Sequence, residues 1–593
     1  MRRTTLILAL ILAAVACSPS VDEPKQGLAL QITGPITDSP FTEVDPNTNE
    51  CLACFVALVA EGPDITDDKY QTVKPYVPGG ELALTLPEVP YGFGRQLRVE
   101  LYSKDVNGFP SFPVRGRGRS IPRDVQPVET FLGHAYVTKT NWFSSAISAA
   151  KQEALTDGRA GAGVVAMADN GVLIAGGADP KPGAKDPHSP NSWTNFKSNL
   201  LRYDVETRQL SDVSATLQST NSPGAFLSAK RAFMASAMGY NGTVVFSGGY
   251  VDNGAGPEPS ALMEFFDVEA KQVRSSPSAN AHLQFARAHH TITRLFDNAN
   301  YFMVVGGKGS QAEASTTWEI WEPNQGRLVA GQLSKPRWNH STVRLPEKDG
   351  GYLMLIGGEN DSGPLNDFEV LQYDSFSNVS SKGNPKITCC VGATCHKGPD
   401  STTVCASLKS QPGYTETQWQ PLVRQLNGGI ARTMPAAAYV HRAPKVTAQS
   451  AQAGYNLVYI VGGYRDAAKT QPSNRVDVFN IETGNWLDAP TLNFARGAPL
   501  MDWSTVGQQR GQVIVTGGLD GAGKTIASGE VLSYDPASGK VTREDVGNSL
   551  TNTGFAYGAS VTLPTGKVLF MGGASSDGVT LKVNQAIRLY NPK

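Results

Sequence analysis

Residues 517–525 read GGLDGAGKT, and Gly518 to Thr525 satisfy the phosphate-loop spelling G-x-x-x-x-G-K-[ST]. That spelling holds phosphates only when a buried strand precedes it and a helix starts at the Lys-Thr, because the loop amides and helix N-terminus do the binding. After Thr525 the chain runs IASGEVLSYDP, which has no helical stripe, so no nucleotide is expected. His290 and His340 each stand three residues after an arginine, in RAHH and RWNH, with His289 beside the first. A spacing that recurs speaks for structure, so no metal and no cofactor are expected.

Cysteines are the next candidates. The N-terminus MRRTTLILALILAAVACSPS has two arginines and then an apolar run too short to span a bilayer, the pattern of an export signal over 1–16. It resembles a bacterial lipoprotein signal, which implies lipidation at Cys17, a tether over 17–26, and an outer-membrane lipoprotein of a Gram-negative cell. Export makes disulfides the expected state of Cys51, Cys54, Cys389, Cys390, Cys395 and Cys405. Cys51 and Cys54 suit a small loop. The other four crowd one segment with open connectivity, and their spacing does not supply the paired C-x-x-C of a zinc site.

The elements that must position these residues come from a repeat. Seven apolar runs end in a diglycine, with second glycines at Gly177, Gly249, Gly307, Gly358, Gly463, Gly518 and Gly573. Downstream of each comes an aromatic with a polar partner: Tyr203-Asp204, Phe266-Asp267, Trp321-Glu322, Tyr373-Asp374, Phe479-Asn480, Tyr534-Asp535 and Tyr590-Asn591. Arg159, Arg231, Arg287, Arg337, Arg432 and Arg496 precede six of the diglycines, and the seventh repeat has TNTGF there. Plentiful glycine (61) and proline (38) with 18% charged residues suit short strands and turns.

These repeats resemble the kelch family, in which each is a four-stranded blade of a β-propeller. The resemblance implies an all-β chain with a seven-bladed propeller over 138–593. A small immunoglobulin-like β-sandwich is expected over 27–135, where alternating stretches such as CFVALVA and QLRVELYS are split by turns. The chain stops at Lys593, soon after Tyr590, so the last blade needs an outer strand from elsewhere, and residues near 140–150 are expected to supply it. The cysteine insertion, 380–415, falls between the third and fourth strands of blade four. His290 and His340 then match the R-x-x-H of a kelch first strand.

In such a ring the arginine-bearing loops and the diglycine loops share one face. That face carries Asp179, Asp252, Asp361, Asp466, Asp520 and Asp577, together with Trp193 and Phe196 in the long loop of blade one. The six arginines either meet a partner there or brace neighbouring loops. Kelch propellers commonly bind partners on this face, so the resemblance implies recognition of a protein or glycan. Lys plus Arg (52) balances Asp plus Glu (53), which leaves no global field for nucleic acid, and lipid is the expected membrane contact. A structural subunit of an envelope, adhesion or motility assembly is the alternative. Carbohydrate-active kelch enzymes are a further one, of the sugar oxidase or mutarotase kind. The copper oxidase comparison fails on its needs, since this chain offers no cysteine in a regular blade strand, and the expectation is a protein that is not an enzyme.

Overall fold

The computed structural model describes residues 6–10, 28–33, 39–42, most of 53–147, 155, 157–214, 226–347, 350–374, 387–391, 394–398, 414–417, 422–442, 445–446, 451–452, 454–504, 511–551 and 554–592. Its regular structure is almost entirely antiparallel strand. Seven four-stranded sheets follow one another among the described residues. Their first strands are Gly163–Ala166, Ala235–Met238, Thr291–Arg294, Ser341–Glu347, Ala436–Arg442, Leu500–Trp503 and Ala559–Thr562. Each of these strands touches the first strand of the next sheet, and the seventh touches the first, so the sheets close into a propeller-like ring.

The second strand of every sheet is the apolar run, as in Gly171–Ala175, where every residue is buried. Both faces of such a strand are covered by neighbouring sheets, which is why it reads as continuous hydrophobic residues rather than an alternation. The aromatic residues Tyr203, Phe266, Trp321, Tyr373, Phe479 and Tyr590 are buried. Each packs in an apolar cluster that fills the wedge between adjacent sheets.

Both glycines of every diglycine lie at positive φ. A Cβ on the first glycine would meet the carbonyl oxygen of the next sheet's arginine position, for example Arg287 O at 2.3 Å from Gly248. In the first six sheets the second glycine's N–H donates to that same carbonyl, as from Gly177 to Arg231 O at 2.8 Å and from Gly249 to Arg287 O at 2.9 Å. The diglycine is therefore the point where consecutive sheets are tied backbone to backbone, and only glycine fits there.

Ring closure follows the expectation from the chain end. Trp142–Ser145 pairs antiparallel with Ile587–Asn591, Trp142 opposite Asn591, and forms the outer strand of the seventh sheet. Asn548 holds the same strand from the side, accepting from Phe143 N at 2.7 Å and donating to Phe143 O at 2.9 Å.

Before the ring stand a six-stranded sheet and a three-stranded sheet around one core of Leu30, Val56, Leu58, Val99, Leu101 and Val137. Thr138–Lys139 still pairs with the six-stranded sheet, so sheet membership changes between Lys139 and Trp142. Leu6–Leu10, inside the expected export signal, pairs with Leu28–Thr33, and cleavage before Cys17 would free that edge. Cys17, Cys51 and Cys405 lie outside the described residues, and Cys54 is disulfide-bonded. Within the insertion, Ile387–Val391 pairs with Thr394–Gly398 and Tyr414–Thr417, setting Cys390 opposite Cys395 in register.

Candidate functional site: the diglycine-loop face

The residue after each arginine position bridges to the residue after each diglycine: Ala160 with Ala178, Ala232 with Tyr250, Ala288 with Lys308, Trp338 with Glu359, Thr433 with Tyr464, Gly497 with Leu519, and Ala556 with Ala574. These bridges put both loop sets on one face, the surface on which the candidate residues fall.

The six arginines do not present themselves there. Arg231, Arg287, Arg337, Arg432 and Arg496 are fully buried and Arg159 is 2% exposed. Arg231, Arg287, Arg337 and Arg496 each donate from Nη1 to the carbonyl of the first glycine of their own diglycine, at 2.8 to 3.0 Å. Nη2 of Arg287, Arg337 and Arg496 reaches a third-strand carboxylate, Glu319 at 2.8 Å, Glu369 at 3.1 Å and Glu530 at 3.0 Å; Arg231 pairs with Glu264 and Arg432 with Asp477. As partner contacts these arginines are corrected: their guanidinium groups tie the second and third strands together inside each sheet. Burial pushes Arg432 down to about 10 despite its carboxylate, which still leaves it charged at neutral pH.

The acids of this face divide. Asp179 is spent on Lys197 and Asn195, at 2.8 and 2.6 Å. Asp466 closes its own loop by accepting from Thr470 and Gln471, and Asp577 does so from Val579 and Thr580. Asp252 and Asp361 are exposed. They lie in different sheets around the ring, so no single cluster unites the six.

Asp520 explains the phosphate-loop spelling. Its Oδ1 accepts from Ala522 N and Lys524 N, both at 2.9 Å, and Leu519 bridges Thr525 without a helix. The amides that would cradle a phosphate are already taken by a carboxylate of the same loop, which is an Asx turn between strands.

Trp193 and Phe196 are each 3% exposed, so neither offers a contact surface. Their loop instead closes the axis of the ring. Seven residues two positions after the arginine sites are left-handed: Gly161, Phe233, His289, Asn339, Met434, Ala498 and Tyr557. Several are joined backbone to backbone, Gly161 N to Tyr557 O at 2.9 Å, Phe233 N to Gly161 O at 2.6 Å, Asn339 N to His289 O at 3.1 Å and Met434 N to Asn339 O at 2.8 Å. The loop lays Trp193 against Phe233 and Tyr557, with ring centroids 5.3 and 5.5 Å apart, and His188 against Tyr464 at 5.1 Å. The Tyr557 hydroxyl and His188 Nδ1 are hydrogen-bond partners. Burial and the Lys469 ammonium hold both His188 and His289 at about 4, so both imidazoles are neutral at physiological pH. Sequence reasoning missed this ring; the one signal was the fixed offset of two from each arginine.

His290 and His340 are structural, as their spacing implied. His290 Nε2 bonds Ser247 Oγ at 2.8 Å and His340 Nε2 bonds Thr291 Oγ1 at 3.1 Å, each reaching the preceding sheet. No group of three or more metal-ligating side chains occurs among the described residues.

Two cavities open on this face. One, of about 580 Å³, lies among the loops of the fifth, sixth and seventh sheets and is lined by Phe494, Asp520, Lys524, Asp577 and Lys582. The other, of about 420 Å³, is lined by Asn427, Arg475, Asp477, Trp486 and Asp488. The phosphate-loop look-alike is thus a wall of the larger cavity.

A family model for the Kelch motif matches residues 448–493, which include the fifth diglycine. No curated protein matches the chain. Among solved structures, the chain is similar to the one titled "Structure of YjhT", at 13% identity over 68% of this chain and 100% of that one, with a TM-score of 0.37.

Proposed function

We propose that this chain is an exported, lipid-anchored protein whose seven-bladed kelch propeller recognises a protein or glycan through its diglycine-loop face, with the preceding β-sandwich as spacer. The observation that supports it is the larger cavity, where an exposed aromatic and charged side chains of both signs surround open space. A closed ring of sheets holds these loops rigidly, which suits recognition by a preformed surface. The test is binding of the full chain to envelope proteins and glycans, with charge reversals Asp252→Lys, Asp361→Lys and Lys582→Glu spread over the face. The reading requires at least one reversal to weaken binding, and it fails if all three bind as the native chain does. Membrane fractionation of Cys17→Ala tests the anchor, which predicts release into the soluble fraction.

A catalytic reading acting on sugars draws support from the Tyr557–His188 pair at the axis. The Tyr557 hydroxyl and the neutral His188 imidazole form a polar pair able to hydrogen-bond a ring oxygen or anomeric hydroxyl, although burial holds His188 at about 4 and Tyr557 well above its ordinary value, which makes each a weak proton acceptor or donor at neutral pH. Anomer exchange of reducing sugars followed by NMR would reveal it. Acceleration lost in His188→Ala supports catalysis, and no acceleration by the native chain removes it.

A further inference from the structure

The two cavities on the diglycine-loop face are not independent. Both are bounded by the connector between the fifth and sixth sheets: Asp488, Ala489 and Thr491 line the smaller, and Asn493, Phe494 and Ala495 the larger. Thr491 and Asn493 are two residues apart, so the Cα atoms of these two wall residues, one from each cavity, are at most about 7 Å apart. Resting on the recognition reading above, we infer that the cavities are consecutive subsites of one track that binds an uncharged oligosaccharide.

The ridge between them is fixed in place. Leu492 is buried, and its N–H donates to Asn474 O at 2.7 Å. Asn493 N donates to Glu530 Oε2 and Asn493 Nδ2 to Asp545 Oδ1, both at 2.7 Å, while Arg543 donates to Thr491 O at 3.4 Å. A ridge tied on both sides costs a ligand no ordering when it binds.

Three features select a sugar polymer. Each subsite has an aromatic side chain, Phe494 at 49% exposure in the larger and the half-buried Trp486 in the smaller, and flat rings match the C–H faces of pyranoses. Charge is balanced, Asp520 and Asp577 against Lys524 and Lys582 in one and Arg475 against Asp488 in the other, where Asp477 is buried against Arg432. No positive field therefore draws an anionic chain, whereas paired acids and amines supply acceptors and donors for hydroxyls. Backbone around the larger subsite is already used, with Thr525 N on Ser576 O, Ile526 N on Gly518 O and Asp520 N on Lys524 O. That leaves side chains, and not a strand edge, to do the recognition, which disfavours a peptide added as a strand.

The experiment measures affinity of the full chain for labelled neutral oligosaccharides, α- and β-linked oligomers of glucose, galactose, mannose and N-acetylhexosamine, from disaccharide to hexasaccharide. The track predicts an oligomer whose affinity rises about tenfold or more with length. Phe494→Ala should weaken every length, and Asp488→Ala only the longer ones. Unfolding curves matching the native chain certify that both exposed-site variants are folded. The track is overturned if no neutral oligosaccharide binds, if affinity is independent of length, or if Asp488→Ala weakens the disaccharide equally. Binding of a protein at charges on this face, with none of the sugars, would remove the track and leave the recognition reading standing.

Discussion

The second to sixth sheets and the seventh sheet solve the same packing problem with opposite chemistry. In the former, the third-strand residue two places before the diglycine in register is Glu264, Glu319, Glu369, Asp477 or Glu530, and each pairs with the arginine of its own sheet. In the seventh sheet the arginine site is Phe555, fully buried, and the acid site is Arg588, opposite Phe570. Phe555 packs instead with Phe143, Phe570 and Tyr590 in an apolar cluster that includes the closing strand. The first sheet is intermediate: Arg159 is kept but Leu201 holds the acid site, and Asp157 and Asn199 partner the guanidinium, at 2.8 and 2.9 Å. Where the arginine is kept it always has a carboxylate, from the third strand in five sheets and from Asp157 in the first, and where it is lost the third-strand acid is lost with it, which marks arginine and carboxylate as one unit.

The largest effect expected from breaking that unit is in a middle sheet. Arg287→Ala removes the buried cation of the fully buried Glu319, leaving it Arg327 at 3.9 Å and the N–H donors of Gln284 and Trp321, and should cost about 3 kcal/mol in urea unfolding. An Arg287→Met and Glu319→Leu double variant should regain most of it, because it rebuilds the seventh sheet's apolar answer. A single variant within about 1 kcal/mol of the native chain would show that the pair is not what holds the sheet.

On the apolar side, Phe143→Ala empties a buried site between Phe570 and Tyr590 and should cost about 3–5 kcal/mol as well. Its signature differs, since hydrogen exchange should accelerate in Trp142–Ser145 and Ile587–Asn591 and leave the third and fourth sheets protected. Uniform acceleration around the ring would mean that closure is not local.

Acidification should separate the two chemistries without mutation. Burial, ahead of nearby cations, holds His340 at about 3 and His290 well below its ordinary value. The unfolded chain then binds more protons than the folded one as pH falls below about 6.5, so stability is full above that pH and declines toward 4. His188 and His289 act in the same sense. Asp502, raised to about 6 by burial, works oppositely, since its proton favours the folded state between roughly 4 and 6. Four histidines against one carboxyl predict a net loss. Because His290 and His340 bridge the second, third and fourth sheets, exchange at Thr243–Ser247 and Thr291–Arg294 should rise before that at Val568–Met571. The reverse order would contradict this assignment.

These cases also show what could be read from the chain alone. Diglycines, aromatics and arginines stand at regular offsets because backbone contact between sheets leaves little freedom, so repeat number and the closing strand were legible. The acid partners were not, since Glu369 and Glu530 lie four residues before their aromatic while Glu264, Glu319 and Asp477 lie two before theirs, and only strand register aligns them. Trp193 was misread as a contact because its loop is long and polar, and nothing local to it encodes folding back over the axis onto Tyr557.

The smallest effect is expected at Asp520, where the sequence looked most chemical. Asp520→Ala removes the acceptor of the Ala522 and Lys524 amides in an exposed loop, and water can replace it, so the cost should be about 1 kcal/mol or less. Exchange of those two amides should accelerate while Leu519 and Thr525, paired by backbone, stay protected. If the loop were a nucleotide cradle blocked only by Asp520, the variant would gain affinity for a nucleoside triphosphate. Without a helix behind Lys524 the freed amides have no dipole and no common focus, so titration with such a nucleotide should stay flat. Saturable binding by the variant would return the loop to phosphate chemistry and set the seven-sheet repeat aside as the reason for its sequence.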